Sequence, residues 1–361
     1  MDQMLKGLGW FLQSALLLTG VWAGLAEAEQ SSSNRCDPQA GMRFVCGPIN
    51  AEDLVYLPGT QQMIASGMSD TGDGHLYLVD PGTHRYITWY PDLAVPTRWD
   101  KRHFADCPGP LNSRQFSAHG LSLLPGEGAV HRLYVTAHGA REAVEVFEVD
   151  VSTSTPTIAW VGCVVMPEGD SINSVAALAD GGFLTTRISD TGPDSLQQII
   201  SGQDSGFLLE WHPGASVRRL PLTTMPAPNG LVLSADEQVL YVGSWGANYV
   251  ARFIRNAAGE LHEDRRLDMD FRVDNLRWSG QGTLLAAGHR LAPADACDEV
   301  LCMTHWEVAE IDAELLGKTT LMQQAPVEGF AGATVALRSK SGQGYWMGTF
   351  SGDRLVFMQA D

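Results

Sequence analysis

Beyond residue 28 the chain of 361 residues has no long stretch of helical period, which excludes helical bundles and doubly wound α/β folds. Basic residues are scarce: 24 Lys and Arg stand against 42 Asp and Glu, a formal charge of −18. Such a surface repels nucleic acid and anionic lipid. No CxxC pair occurs, and no Cys/His cluster has zinc-finger spacing, so the cysteines read as structural. GxSxG, P-loop, GxGxxG and HExxH patterns are missing as well, and no serine stands in a triad context.

What is present begins with a leader. Met1 to Lys6 carries one Lys, Gly7 to Leu25 is largely apolar, and Ala26-Glu27-Ala28 has the small-x-small form of a cleavage site. Residues 1–28 read as a secretory signal peptide cut after Ala28, and the protein is expected to be secreted or periplasmic. The alternative is an uncleaved anchor helix, so membrane contact is expected only if this segment is retained. Residues 29–45 read as a polar lead-in, and residues 46–361 as one folded domain. The six cysteines allow 15 pairings. Cys297 with Cys302 could close a small loop and Cys36 with Cys46 another, which would leave Cys107 for Cys163.

With 38 glycines and 18 prolines the chain is turn-rich, and one unit recurs: an apolar run, a Gly/Asp/Pro turn, a second apolar run. The copies start at Leu54, Leu121, Val175, Leu231, Leu276 and Val335. Between them lie further strand-like runs such as His75 to Val79, Ala143 to Val149 and Trp306 to Ile311. Six repeats of a four-stranded sheet predict an all-β, six-bladed β-propeller. Two β-sandwich domains would not give six copies of one hairpin. Ser189 to Ser205 reads as a long loop over one face.

Aligning the hairpins on their turns brings polar residues into register just before each first strand: Glu52-Asp53, His119, Asn173, Asn229, Asp274-Asn275 and Thr334. In a propeller these positions converge at one end of the central channel. Glu52, Asn173, Asn229, Asp274 and Asn275 would then present carboxylate and amide oxygens, a hard donor set that suits Ca²⁺. Each residue alone reads as a turn or solvated residue; the shared register is what argues for a metal. His119 falls in this ring and His138 ends the second strand of its hairpin. Spacing alone fits a general base or a structural histidine equally. His289 could border the channel, and Trp245 and Trp346 are the tryptophans expected near it.

At these residues the chain resembles the paraoxonase/arylesterase family and, more distantly, the gluconolactonase and senescence-marker propellers. The matching stretches are Ala51-Glu52-Asp53-Leu54, Ala118-His119-Gly120-Leu121, Thr136-Ala137-His138, Ile172-Asn173, Pro228-Asn229-Gly230, Val273-Asp274-Asn275 and Thr334-Val335-Ala336. The resemblance implies a catalytic calcium on Glu52, Asn173, Asn229, Asp274 and Asn275, and a His119–His138 dyad. It also implies a second, structural calcium on Asp53 and the Leu121 carbonyl, but Ser174 stands where the family has Asp. The family's disulfide to the last residues has no counterpart, since no Cys follows Cys302. The expected activity is hydrolysis of a small-molecule lactone or ester at a calcium-polarised carbonyl. His119 would take the proton from water, His138 would assist, and Asp274 could share the base role. The rival expectation is a non-catalytic binding module with a structural calcium. A strictosidine-synthase-like propeller fits less well, because it lacks this oxygen set.

Overall fold

The computed structural model describes residues 36–39, 41–69, 71–91, 94–280, 282–292 and 301–360. The leader at 1–28 and Cys297 lie outside the described residues. Strand burial shows why the apolar runs are continuous rather than alternating. Met63–Gly67 and Gly344–Gly348 are buried at every position, which requires cover on both faces of the sheet. The outlying strand Leu261–Asp268 is mostly charged and exposed, as suits a blade edge protected from pairing with another chain.

Among the described residues twenty-four strands form six four-stranded antiparallel sheets, a six-bladed β-propeller. Blade 1 holds β2 (Leu54–Tyr56), β3 (Met63–Gly67), β4 (His75–Asp80) and β5 (Arg85–Tyr90). Blade 2 holds β6 (Phe116–Leu124), β7 (Val130–Gly139), β8 (Ala143–Asp150) and β9 (Thr157–Val165). Blade 3 holds β10 (Asp170–Ala177), β11 (Phe183–Asp190), β12 (Phe207–Trp211) and β13 (Arg218–Arg219). Blade 4 holds β14 (Pro228–Leu233), β15 (Val239–Ser244), β16 (Tyr249–Arg255) and β17 (Leu261–Asp268). Blade 5 holds β18 (Arg272–Gly280), β19 (Thr283–Leu291), β20 (Met303–Asp312) and β21 (Lys318–Gln324). Blade 6 holds β22 (Val335–Arg338), β23 (Gly344–Gly348) and β24 (Arg354–Gln359), and its outermost strand is β1 (Met42–Cys46).

That last pairing corrects the boundary expected at residue 46. Met42 to Cys46 pair in register with Met358 to Arg354, so the propeller includes residues assigned to the lead-in. Met42, Phe44 and Val45 are buried, which holds the first strand to the last without a covalent bridge to it. Cys36 is bonded to Cys46 and Cys107 to Cys163. Cys302 is disulfide-bonded too. These bonds fit an oxidising compartment.

The first strands β2, β6, β10, β14, β18 and β22 touch one another in a closed ring around the channel. In four of them the register slips at an equivalent place: between Ala118 and Leu121, Ile172 and Val175, Pro228 and Leu231, and Val273 and Leu276. Each slip is a β-bulge, two residues set against one on the partner strand, and it re-aims a side chain out of the sheet. The bulged pairs are His119-Gly120, Asn173-Ser174, Asn229-Gly230 and Asp274-Asn275. The bulges are what turn strand residues inward.

Candidate functional site

Hydroxyls on the second strands hold these bulges. Thr136 Oγ1 accepts from the Gly120 amide at 2.6 Å and donates to the Asn173 carbonyl of the next blade at 2.6 Å. Thr186 repeats the motif, accepting from the Ser174 amide and donating to the Asn229 carbonyl. Thr334 donates to the Glu52 carbonyl at 2.6 Å, which links blade 6 to blade 1. Thr334 was in register with the oxygen donors in sequence, but its hydroxyl serves this blade link. Gly120 is required where it stands, since a Cβ there would lie 2.6 Å from the Asn173 carbonyl oxygen.

The structure brings Glu52, Asn173, Asn229, Asp274 and Asn275 together, all buried. The amide nitrogens have partners of their own. Asn275 Nδ2 donates to Glu52 Oε1 at 2.5 Å, and Asn173 Nδ2 lies 3.3 Å from His119 Nε2. Their oxygens are left over. Glu52 Oε2, Asn173 Oδ1, Asn229 Oδ1 and Asn275 Oδ1 are buried without a hydrogen-bond partner. An unsatisfied buried polar atom costs about 1–3 kcal/mol, so four in one place need an explanation. A hard cation supplies one, and the donor set fits it: two carboxylates and three amide oxygens, with no thiolate. Among the described residues no three His, Cys, Asp or Glu side chains form a metal cluster, so the set depends on its amides.

The electrostatics agree with a site built for positive charge. Burial, followed by the charges of Asp274 and Asp53, pushes the Glu52 carboxyl well above the usual range. Burial, with Asp53 beside it, pushes Asp274 up to about 8.

A relay of imidazoles stands against this ring. His138 Nδ1 donates to Glu142 at 2.8 Å, which leaves His138 Nε2 to accept from His119 Nδ1 at 2.8 Å. His119 Nε2 then carries the lone pair, 3.7 Å from Glu52 Oε2. Burial and the neighbouring His138 hold the His119 imidazole well below its ordinary value. Glu142, on the turn between β7 and β8, escaped the sequence reading; a carboxylate four residues after a histidine across a tight turn was its only signal. The Glu142 carboxylate also accepts from the Ile172 amide at 3.3 Å, which joins blade 2 to blade 3.

Above the ring opens a cavity of about 380 Å³. Glu52, His119, Asn173, Asn229 and Asp274 lie among its lining residues. Its walls are apolar, with Met68, Ile188, Trp245, Leu291 and Phe350. The segment Ser189 to Ser205 lies over it as expected and folds one short helix, α1 (Ser195–Ile200), whose Leu196 and Ile199 line the cavity. His289 borders the cavity with an unpaired Nε2, and burial lowers it to about 4. Trp346 does not reach it; that ring packs against His84 and Phe357 at the junction of blades 1 and 6. A larger concavity, about 610 Å³, lies at strand ends that include Leu121 and Arg277, but it lacks the converging oxygens.

Asp53 and the Leu121 carbonyl, expected to share a second ion, instead share the Arg277 guanidinium. Arg277 was not foreseen.

No family model and no curated protein matches the chain. Solved structures do. A gluconolactonase of Xanthomonas campestris aligns with TM-score 0.54 at 16% identity, covering 89% of each chain. A luciferin-regenerating enzyme aligns with TM-score 0.53 at 14% identity, over 87% of this chain and 93% of that one. An aldose sugar dehydrogenase of Streptomyces coelicolor, bound to PQQ, aligns with TM-score 0.50 at 15% identity, over 90% of this chain and all of the other (100%). What this chain shares with them is the six-bladed propeller.

Proposed function

We propose that the chain is a calcium-dependent hydrolase of small lactones or carboxylic esters, in line with its resemblance to paraoxonases and with the gluconolactonase among its structural neighbours. The observation that carries the reading is the pairing of four buried oxygens that lack hydrogen-bond partners with a histidine whose Nε2 lies beside the Asn173 amide and 3.7 Å from Glu52 Oε2. Glu52, Asn173, Asn229, Asp274 and Asn275 would hold the ion. When bound, calcium polarises a substrate carbonyl and stabilises the charge that develops on its oxygen.

The chain's own residues supply the rest. His119 Nε2 accepts the proton of an attacking water. His138 takes hydrogen-bond donation from His119 Nδ1 and passes orientation back from Glu142, so the tautomer is set by a carboxylate. Asp274, a candidate second base, is engaged with the Asn229 and Glu52 side chains, and we assign it to the ion. Met68, Ile188, Trp245 and Phe350 exclude water and favour an apolar ring or chain. A polyhydroxylated sugar lactone would lose hydrogen bonds to water against these walls.

The test is hydrolysis of a lactone and aryl-ester panel by the exported protein, with EDTA and then with calcium restored. Activity lost to EDTA and regained with calcium supports the reading. No turnover on the panel, with calcium still raising the melting temperature, moves the protein to the class of binding modules with a structural ion.

A further inference from the structure

The residue three places after the first bulge position, and its equivalent in the unbulged first strands of blades 1 and 6, can be compared across all blades. Blades 1 to 4 and 6 carry Val55, Ser122, Ala176, Val232 and Ala336 after the apolar residue, and blade 5 carries Arg277. A lone cation at that register, 8% exposed, demands partners. Its guanidinium finds four. Nε donates to the Leu54 carbonyl at 3.1 Å, Nη1 to the Leu276 carbonyl at 2.9 Å, and Nη2 to the Leu121 carbonyl at 3.0 Å. Nη2 also bonds the Asp53 carboxylate. Asp53 is fully buried and accepts the Leu54 and Leu121 amides at 2.8 and 2.7 Å. One side chain of blade 5 thus crosses the channel and gathers acceptors from blades 1 and 2.

A carboxylate and three carbonyl oxygens around one point is the environment of a bound cation. The second calcium that the resemblance implies would need Asp53 and the Leu121 carbonyl, and one guanidinium nitrogen already bridges them. A divalent ion there would meet a fixed positive charge at hydrogen-bond distance. We infer that Arg277 stands in place of the second ion, a covalently tethered cation that joins blades 1, 2 and 5 at this end of the channel. The protein therefore takes no metal at Asp53, and this end of the channel does not depend on dissolved calcium. Ser174 fits the same arrangement: its hydroxyl accepts the Leu231 amide at 3.4 Å, and no second carboxylate is required beside a monovalent cation.

The inference is independent of the hydrolase reading, because it is read from ion counts rather than turnover. Equilibrium dialysis of the full chain against calcium up to about 1 mM, the range of extracellular sites, gives the number bound. At most one equivalent is expected for the wild type and for Arg277→Lys. Arg277→Ser, shown folded by circular dichroism, is expected to bind one equivalent more and to gain a larger calcium-dependent rise in melting temperature. A second equivalent in the wild type would overturn the proposal. So would a folded Arg277→Ser with an unchanged count. Should that variant fold neither with nor without calcium, the wild-type count decides: two ions overturn the proposal, and one or none uphold it.

Discussion

Single side chains set the proton inventory of the site. His119→Gln is expected to lower kcat on a lactone by about 10²–10⁴, the usual worth of a general base; a loss under about threefold would remove it from that role. Glu142→Gln removes a charge-assisted hydrogen bond worth about 1.5–3 kcal/mol and is expected to lower kcat by about 10- to 100-fold with KM little changed. Away from the site, Tyr90 packs edge-on to Phe116 and Phe147. Burial, and secondarily Glu145, pushes its phenol up to about 12. The unfolded phenol ionises near 10, so between about pH 10 and 12 the folded state holds the extra proton. Its contribution to stability is present below pH 10 and is lost as pH rises through that window. Melting curves of Tyr90→Phe should fall less steeply from pH 10 to 12 than those of the wild type, and parallel curves would refute the assignment.

At the scale of elements, the bulge is the device that builds the ring. In blades 2 and 4 it needs a glycine, Gly120 or Gly230, where the next blade comes close. Gly230→Ala would set a Cβ 2.6 Å from the Asn275 Cα and against the Asp274 carbonyl. Neither is a flexible side-chain end, so the bulges of blades 4 and 5 must move apart. The expected cost is about 1–3 kcal/mol, with weaker calcium binding, measured by thermal melts with and without the ion. The helix α1 is different in kind. None of its residues is buried, so changing it should not unfold the protein. Leu196→Ser is expected to raise KM for apolar esters while leaving the melting temperature within about 1 °C, a surface-type effect. An unchanged KM would show that α1 does not touch the substrate.

The whole molecule is closed by β1. Removing residues 1–46 leaves blade 6 with three strands and uncovers the edge of β24, where buried Val356 is the register partner of Phe44. That truncation is expected to lower the melting temperature by 10 °C or roughly more, given several lost apolar contacts, whereas removing 1–35 should change it little. Equal melts for the two truncations would show that the propeller closes without β1.

Much of this architecture could be read in the chain itself. Turn residues at regular spacing and doubly buried strands leave a periodic imprint, so the six hairpins and the ring of Glu52, Asn173, Asn229, Asp274 and Asn275 were legible. Each is a local pattern repeated, and equivalent positions of a propeller must converge. Four features were decided only by the tertiary structure. Met42–Cys46 completes blade 6 through pairing with the far end of the chain, which no local pattern announces. Glu142 matters because a turn folds it back on His138. The oxygens of Asn173 and Asn275 are free because their nitrogens are held by His119 and Glu52. Arg277 takes Asp53 and Leu121 because the closed ring brings blade 5 within reach of blades 1 and 2 across the channel. Sequence determines what repeats at short range; closing the ring determines which distant groups share one point in space.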